Sequence, residues 1–207
     1  MENYVITIAR GYGSGGKTIG KMLAQELGIQ YYNRDILKKA SEESGINLQL
    51  FAQADEKHKS GLFGPGKKVY TGELIPPSSN NFISEENLFN YQSKVIRDLA
   101  QQNSCVFVGR CADYVLNGHA NLLRLYVHAP VEYCIHRVME KDGLKSEDEA
   151  LKKIRAIDKE RADYYYHHTG HDWRDADNYD LCLNTSDFSW EKSVELIRAY
   201  LTVRFGE

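Results

Sequence analysis

Gly11-Tyr12-Gly13-Ser14-Gly15-Gly16-Lys17-Thr18 matches the pattern G-x-x-x-x-G-K-[ST] without a break. Ahead of it, Tyr4-Val5-Ile6-Thr7-Ile8-Ala9 is a short β-branched run. Behind it, Ile19, Met22, Leu23 and Leu27 recur at helical spacing. A glycine-rich segment between a first strand and a first helix predicts a backbone curled so that successive N–H groups point at phosphate oxygens. Lys17 then brings positive charge to the β and γ phosphates, the Thr18 hydroxyl is placed to hold Mg2+, and the helix start adds the positive end of its dipole. The plainer alternative is a turn joining strand to helix, with Lys17 and Thr18 in solvent.

The rest of the chain repeats this alternation. Gly28 closes the first helix, Ile29-Gln30-Tyr31-Tyr32 reads as a second strand, and a helix is expected from Arg34 to about Ser44. Between Glu56 and Asn81 lie three of the four prolines, Pro65, Pro76 and Pro77, with Gly61, Gly64, Gly66 and Gly72, which predicts a mobile insert or lid. Ser84 is a candidate N-cap followed by Glu85 and Glu86, and Leu88, Tyr91, Val95, Ile96 and Leu99 carry a helical stripe to about Asn103. Cys105–Val108, Leu122–Val127 and Leu181–Leu183 are apolar runs separated by helical patterns, and a last helix is expected from about Ser189 to Val203. Runs apolar on both faces and separated by helices predict an α/β domain of about five parallel strands, covered by helices on both sides.

A net charge of −3, from 26 basic and 29 acidic residues, excludes a general nucleic-acid binder, so an anionic ligand has to be met by a local cluster. No apolar stretch approaches the roughly 18 residues of a membrane span, and the first residues lack the order of a signal peptide; the expected location is the cytoplasm. Cys105, Cys111, Cys134 and Cys182 form no CxxC pair and read as small buried hydrophobes without disulfides. His167 and His171 are four apart beside His168, but Gly170 interrupts the helix, so the three read as a polar lid tip rather than a metal centre. The adjoining Tyr164, Tyr165 and Tyr166 suit either base stacking or surface packing.

Four stretches together resemble the cytidylate kinase-like branch of the nucleoside monophosphate kinases: Val5–Ile8 with the glycine-rich loop, Tyr31-Tyr32-Asn33-Arg34-Asp35, Val108-Gly109-Arg110-Cys111-Ala112-Asp113, and Leu125 to about Arg161. The resemblance implies a single P-loop kinase domain over 1–207, a three-layer sandwich with an acceptor-binding insert at about 34–83 and a lid at about 137–175. It implies ATP and Mg2+ as cofactors, with Gly11, Gly13, Ser14, Gly15, Gly16, Lys17 and Thr18 gripping the ATP phosphates and Thr18 on the metal. Arg110 matches the family's acceptor-phosphate arginine, at the carboxyl end of a strand where ligands of open parallel sheets sit. Its alternative is a cap on the neighbouring helix. Arg34 and Lys39 fall where the family binds the monophosphate, and both also fit solvated helix charges. Arg137 matches an arginine at the lid's first hinge. Arg161 continues the stripe of Leu151, Ile154 and Ile157, so its charge needs a phosphate or carboxylate partner on an inward face.

There are departures from the family. Tyr164-Tyr165-Tyr166-His167-His168 replace its cytidine-recognising arginine and aspartate, and Val108 replaces an aspartate that holds a Mg2+-bound water, a role for which Asp113 is the substitute at hand. The expected function is ATP- and Mg2+-dependent phosphoryl transfer to a small phosphorylated acceptor, a nucleoside monophosphate first among them, with Lys17, Arg137 and Arg161 as the catalytic cations. A nucleotide-binding regulatory module without transfer, and a P-loop kinase for a non-nucleotide metabolite, are the alternatives. Neither a nucleic-acid polymer nor a membrane is an expected partner.

Overall fold

A computed structural model describes residues 3–57 and 72–206. Five strands, β1 (Val5–Arg10), β2 (Gln30–Tyr32), β3 (Cys105–Val108), β4 (Leu122–His128) and β5 (Leu181–Asn184), form one sheet in the order β2-β3-β1-β4-β5. Every pairing is parallel, with Val5 opposite both Cys105 and Leu122. Successive β1 residues serve opposite faces. Val5 and Ala9 share a cluster with Cys105 and Phe107, whereas Ile6 and Ile8 share the other with Val106, Val108, Leu123 and Leu125. The expectation of strands apolar on both faces therefore holds at the centre of the sheet.

Helices α1 (Gly16–Leu27) and α8 (Trp190–Phe205) cover the second face. Helices α2 (Asp35–Ser44), α3 (Leu48–Lys57), α4 (Glu85–Gln102) and the short α5 (Ala112–Val115) cover the first. The Ser84 hydroxyl accepts from the Asn87 N–H and so caps α4 as its sequence predicts. Helix α3, which no sequence expectation named, buries Phe51 completely. Helices α6 (Val131–Asp142) and α7 (Glu147–Thr169) pack on each other through Cys134, Val138, Ala150 and Ile154. β5 is an edge strand, and this corrects the reading of the cysteines: Cys105, Cys111 and Cys134 are buried, but Cys182 is exposed because Leu181 and Leu183 turn to the core.

The expected insert at 56–81 lies in large part, at 58–71, outside the described residues. Its last part is fastened to α4. The fully buried Asn87 accepts from the Ile75 N–H (2.8 Å) and donates to the carbonyls of Ile75 (3.1 Å) and Phe82 (2.7 Å). Replacing Asn87→Ala removes the partner of three backbone groups at once and is expected to cost about 2 kcal/mol in urea unfolding. A cost below the error of that measurement would show that water replaces these bonds without loss.

Candidate active site

The chain leaves β1 at Arg10 and curls through Gly11–Gly15 into α1. Gly13 and Gly15 have φ of +88° and +83°, and a Cβ on Gly15 would lie 2.6 Å from the indole Nε1 of Trp190. The loop is held from outside. The Tyr12 N–H donates to Asp158 Oδ1 (2.8 Å), the Tyr12 hydroxyl to Asp142 Oδ2 (2.8 Å), and the Thr185 hydroxyl to the Ser14 carbonyl (2.7 Å). Ser14 is buried and its hydroxyl donates to the Gly11 carbonyl (2.9 Å). Helix α1 starts with no side-chain cap and no acidic residue in its first turn, so nothing within the helix itself answers the positive end of its dipole. Lys17 is exposed and Thr18 half-buried at this start. The backbone here suits a phosphate chain, and the Thr18 hydroxyl is the side-chain oxygen next to Lys17 that a Mg2+ ion would use. Among the described residues, no group of three or more His, Cys, Asp or Glu side chains gathers as a metal centre.

Beside the loop, at the carboxyl ends of β1 and β3, a cavity of about 420 Å3 is lined by four arginines, Arg10, Arg34, Arg110 and Arg161, together with Asp113, Glu160, Tyr12 and Trp173 among others. In an open parallel sheet this is where ligands bind, next to the strand on either side of which the chain winds in opposite directions. Three consecutive residues, Gly109, Arg110 and Cys111, have φ of +79°, +64° and +53°. Two of them carry side chains and are strained by roughly 1–2 kcal/mol each. This left-handed turn ends β3 and brings Arg110 to the cavity wall.

Arg161 also reaches the cavity, and it already has partners. Its Nη1 donates to the Arg10 carbonyl (2.8 Å) and to Asp158 Oδ1 (3.1 Å). Burial lowers the pKa of Arg161 against the opposing pull of Asp158, and burial raises that of Asp158 against the pull of Arg161 and the Tyr12 N–H. The inward stripe thus carries a carboxylate partner as well as access to the cleft. Arg34, exposed at the start of α2, lines the cavity, whereas Lys39 does not: its ammonium stands 5.9 Å from the Tyr32 ring centre. Arg137 lies on α6 outside the cavity wall, pairs with Glu140 (3.3 Å), and stacks 4.4 Å from the Trp190 ring centre, touching the phosphate loop through that indole.

Gly170 ends the helix before His171 as expected, and His171 is exposed and His167 half-buried, but His168 does not belong to a polar tip. Helix α7 runs unbroken to Thr169, Gly170 caps it in the left-handed conformation, and His168 is buried in a face-to-face stack on Phe89 at 3.8 Å. Within the preceding tyrosine run, Tyr165 is buried and donates to Asp113 Oδ2 (2.6 Å), and burial raises the pKa of Asp113. Asp113 is therefore a buried acceptor at the cavity wall.

Arg10 and Asp158 escaped the sequence reading although both carried a signal. Asp158 lies four residues after Ile154 on the same inward stripe. Arg10 holds the carboxyl end of β1 just as Arg110 follows that of β3. Burial, then the neighbouring charges of Arg161 and Arg110, push the Arg10 guanidinium down to about 9, still charged at neutral pH.

A phosphate loop following the central strand of a five-stranded parallel sheet defines the P-loop kinase architecture, and solved structures share it. The fold matches an uncharacterized protein from Eubacterium ventriosum with a TM-score of 0.71 at 24% identity, covering 98% of this chain and 100% of that one. It matches a shikimate kinase from Bacteroides thetaiotaomicron with a TM-score of 0.52 at 14% identity, covering 96% and 98%. Within that class the chain belongs to the cytidylate kinase-like family, whose model matches residues 5–187. Relatives named cytidylate kinase include one from Methanopyrus kandleri, 26% identical over 204 residues (94% of this chain, 91% of the relative), and one from Pyrococcus horikoshii, 24% identical over 199 residues (96% and 88%).

The pairing of Arg161 with a buried carboxylate makes a testable forecast. Arg161→Met strands the Asp158 charge and is expected to lower stability by about 3 kcal/mol, most of it recovered in the double variant Arg161→Met, Asp158→Asn. Unfolding curves for both variants check this, and an unchanged midpoint for the single variant would contradict it.

Proposed function

We propose that this protein catalyses ATP- and Mg2+-dependent transfer of a phosphoryl group to a nucleoside monophosphate. The observation that carries this reading is adjacency: the phosphate loop and the arginine-lined cavity meet at Arg10 and Tyr12, so a bound donor phosphate and an acceptor phosphate would be neighbours. Phosphoryl transfer asks for in-line alignment and charge neutralisation more than for a strong base. The loop N–H groups and Lys17 would grip the donor, with Mg2+ on Thr18 supplying further neutralisation of its phosphates. Arg110 and Arg34 would hold the acceptor phosphate. Arg161, steadied by Asp158, would face the space between donor and acceptor, and Arg137 with Trp190 would guard the outer edge of the loop. Lys39 is the weakest member of the acceptor set, since its ammonium is turned to Tyr32.

The segment at about 34–83 would serve as the acceptor-binding insert, and the α6–α7 region, about 137–175, as the lid that excludes competing water. Cytidine preference is a separate matter, since the tyrosine and histidine run of α7 takes the place of the family's cytidine contacts. A coupled ADP-release assay over a panel of monophosphates, carboxylates and polyols reads the acceptor class directly. ADP release with monophosphates supports the proposal, and release with polyols or carboxylates alone, or with none, contradicts it. Because Lys17 is exposed, Lys17→Ala is expected to keep the unfolding midpoint while lowering turnover at least about a hundredfold. Wild-type turnover in the folded variant would overturn the donor site.

A further inference from the structure

Arg10 is placed at a cost that its surroundings offset only in part, through Asp158 and Tyr31. Its stem fills the space where a Cβ on Gly16 would sit, 2.6 Å from the Arg10 Cβ, and its guanidinium lies over Gly109, where a Cβ would collide with Nη1. Two glycines, one opening α1 and one ending β3, therefore leave a slot for this side chain between the phosphate loop and the Gly109–Cys111 turn. The Nε of Arg10 is buried with no hydrogen-bond partner among the described residues. The carboxylate that acts on it, Asp158, is engaged by Arg161 and by the Tyr12 N–H. Two more guanidinium groups, those of Arg161 and Arg110, repel it across the same cavity.

A buried arginine with an unused donor, pressed by like charge and opening on a cavity, is arranged for an anion that arrives from outside. A carboxylate has two oxygens and one charge. A phosphoryl group presents three oxygens and two charges, enough to accept from Arg10 while still facing the other arginines of the wall. We infer that Arg10 is a binding residue for the acceptor's phosphate and that it restricts the acceptor to a phosphate dianion, a specificity that rests on the transfer reaction proposed above. In this role Arg10 accounts for Gly109, whose missing side chain is what admits the guanidinium.

The test compares wild type with Arg10→Met, which keeps most of the stem's length and removes the charge. Inorganic phosphate is titrated against each protein with ADP present in saturating amount, so that the loop is filled, and acetate serves as the monoanion. The expected result is that phosphate binds wild type more tightly than acetate, that Arg10→Met weakens phosphate about 30-fold or more, and that ADP affinity stays within about threefold. Without phosphate the variant should melt at or above the wild-type temperature, since an unpaired buried charge is gone. Gly109→Ala, whose Cβ displaces the guanidinium, should weaken phosphate in the same direction. Equal phosphate binding in Arg10→Met, equal binding of phosphate and acetate by wild type, or a marked loss of stability in Arg10→Met without phosphate would overturn the assignment, the last by showing a structural arginine. If phosphate binding depends on Arg10 while no monophosphate accepts a phosphoryl group, the anion site stands and the transfer reaction falls.

Discussion

The carboxylate of Asp158 is the point at which loop, α7 and cavity are tied together. It accepts from the Tyr12 N–H inside the phosphate loop and from Arg161 one turn further along α7, while Arg161 reaches the carbonyl of Arg10 at the end of β1. A buried carboxylate survives only when it is paired and hydrogen-bonded, so each of these partners holds the others in place. Through Asp158 the loop cannot change shape without α7, and α7 is one of the walls of the cavity. A second tie, from the Tyr12 hydroxyl to Asp142 and on to Lys153, repeats the coupling between the loop and the α6–α7 pair.

The sheet supplies the frame for this arrangement. Its central strand is buried on both faces, so polar groups are displaced to the strand ends, and at the carboxyl ends of β1 and β3 the chain places Arg10 and Arg110. The left-handed turn after β3 is strained, and it ends that strand where the cavity begins. Positive charge is thus concentrated locally in a chain whose net charge is −3.

Much of this was legible in the sequence. The β-branched run of β1, the cap at Ser84, the start of the last helix near Ser189 and the glycine loop follow from local chemistry, and all appear within one or two residues of where the sequence puts them. Helix α3 is absent from the expectations although Asn47 caps it, its Oδ1 accepting from the Gln49 N–H (2.8 Å), because the apolar residues of this short segment do not by themselves separate a helix from an insert. His168 departs from the expected polar tip because its environment is tertiary: it is buried against Phe89 of α4, far away in the chain. Arg137 shows the same limit. Its position fits the family's hinge arginine, but only packing reveals that Trp190 of α8 stands between it and the loop. Arg10 is not legible because a single charge after an apolar run looks like the solvated end of a strand, and its place depends on Gly16 and on Gly109, the latter far along the chain.

The central claim is that loop and cavity are two halves of one site, made to hold two phosphate groups end to end. Calorimetric titration with a bisubstrate analogue, two nucleosides joined through a chain of five phosphates, tests it most directly. The account predicts one analogue per chain, displaced by ATP and by a nucleoside monophosphate alike, with an affinity beyond that of either alone because the two halves are linked. An analogue that ATP displaces and the monophosphate does not, or one bound no more tightly than ATP, would contradict it.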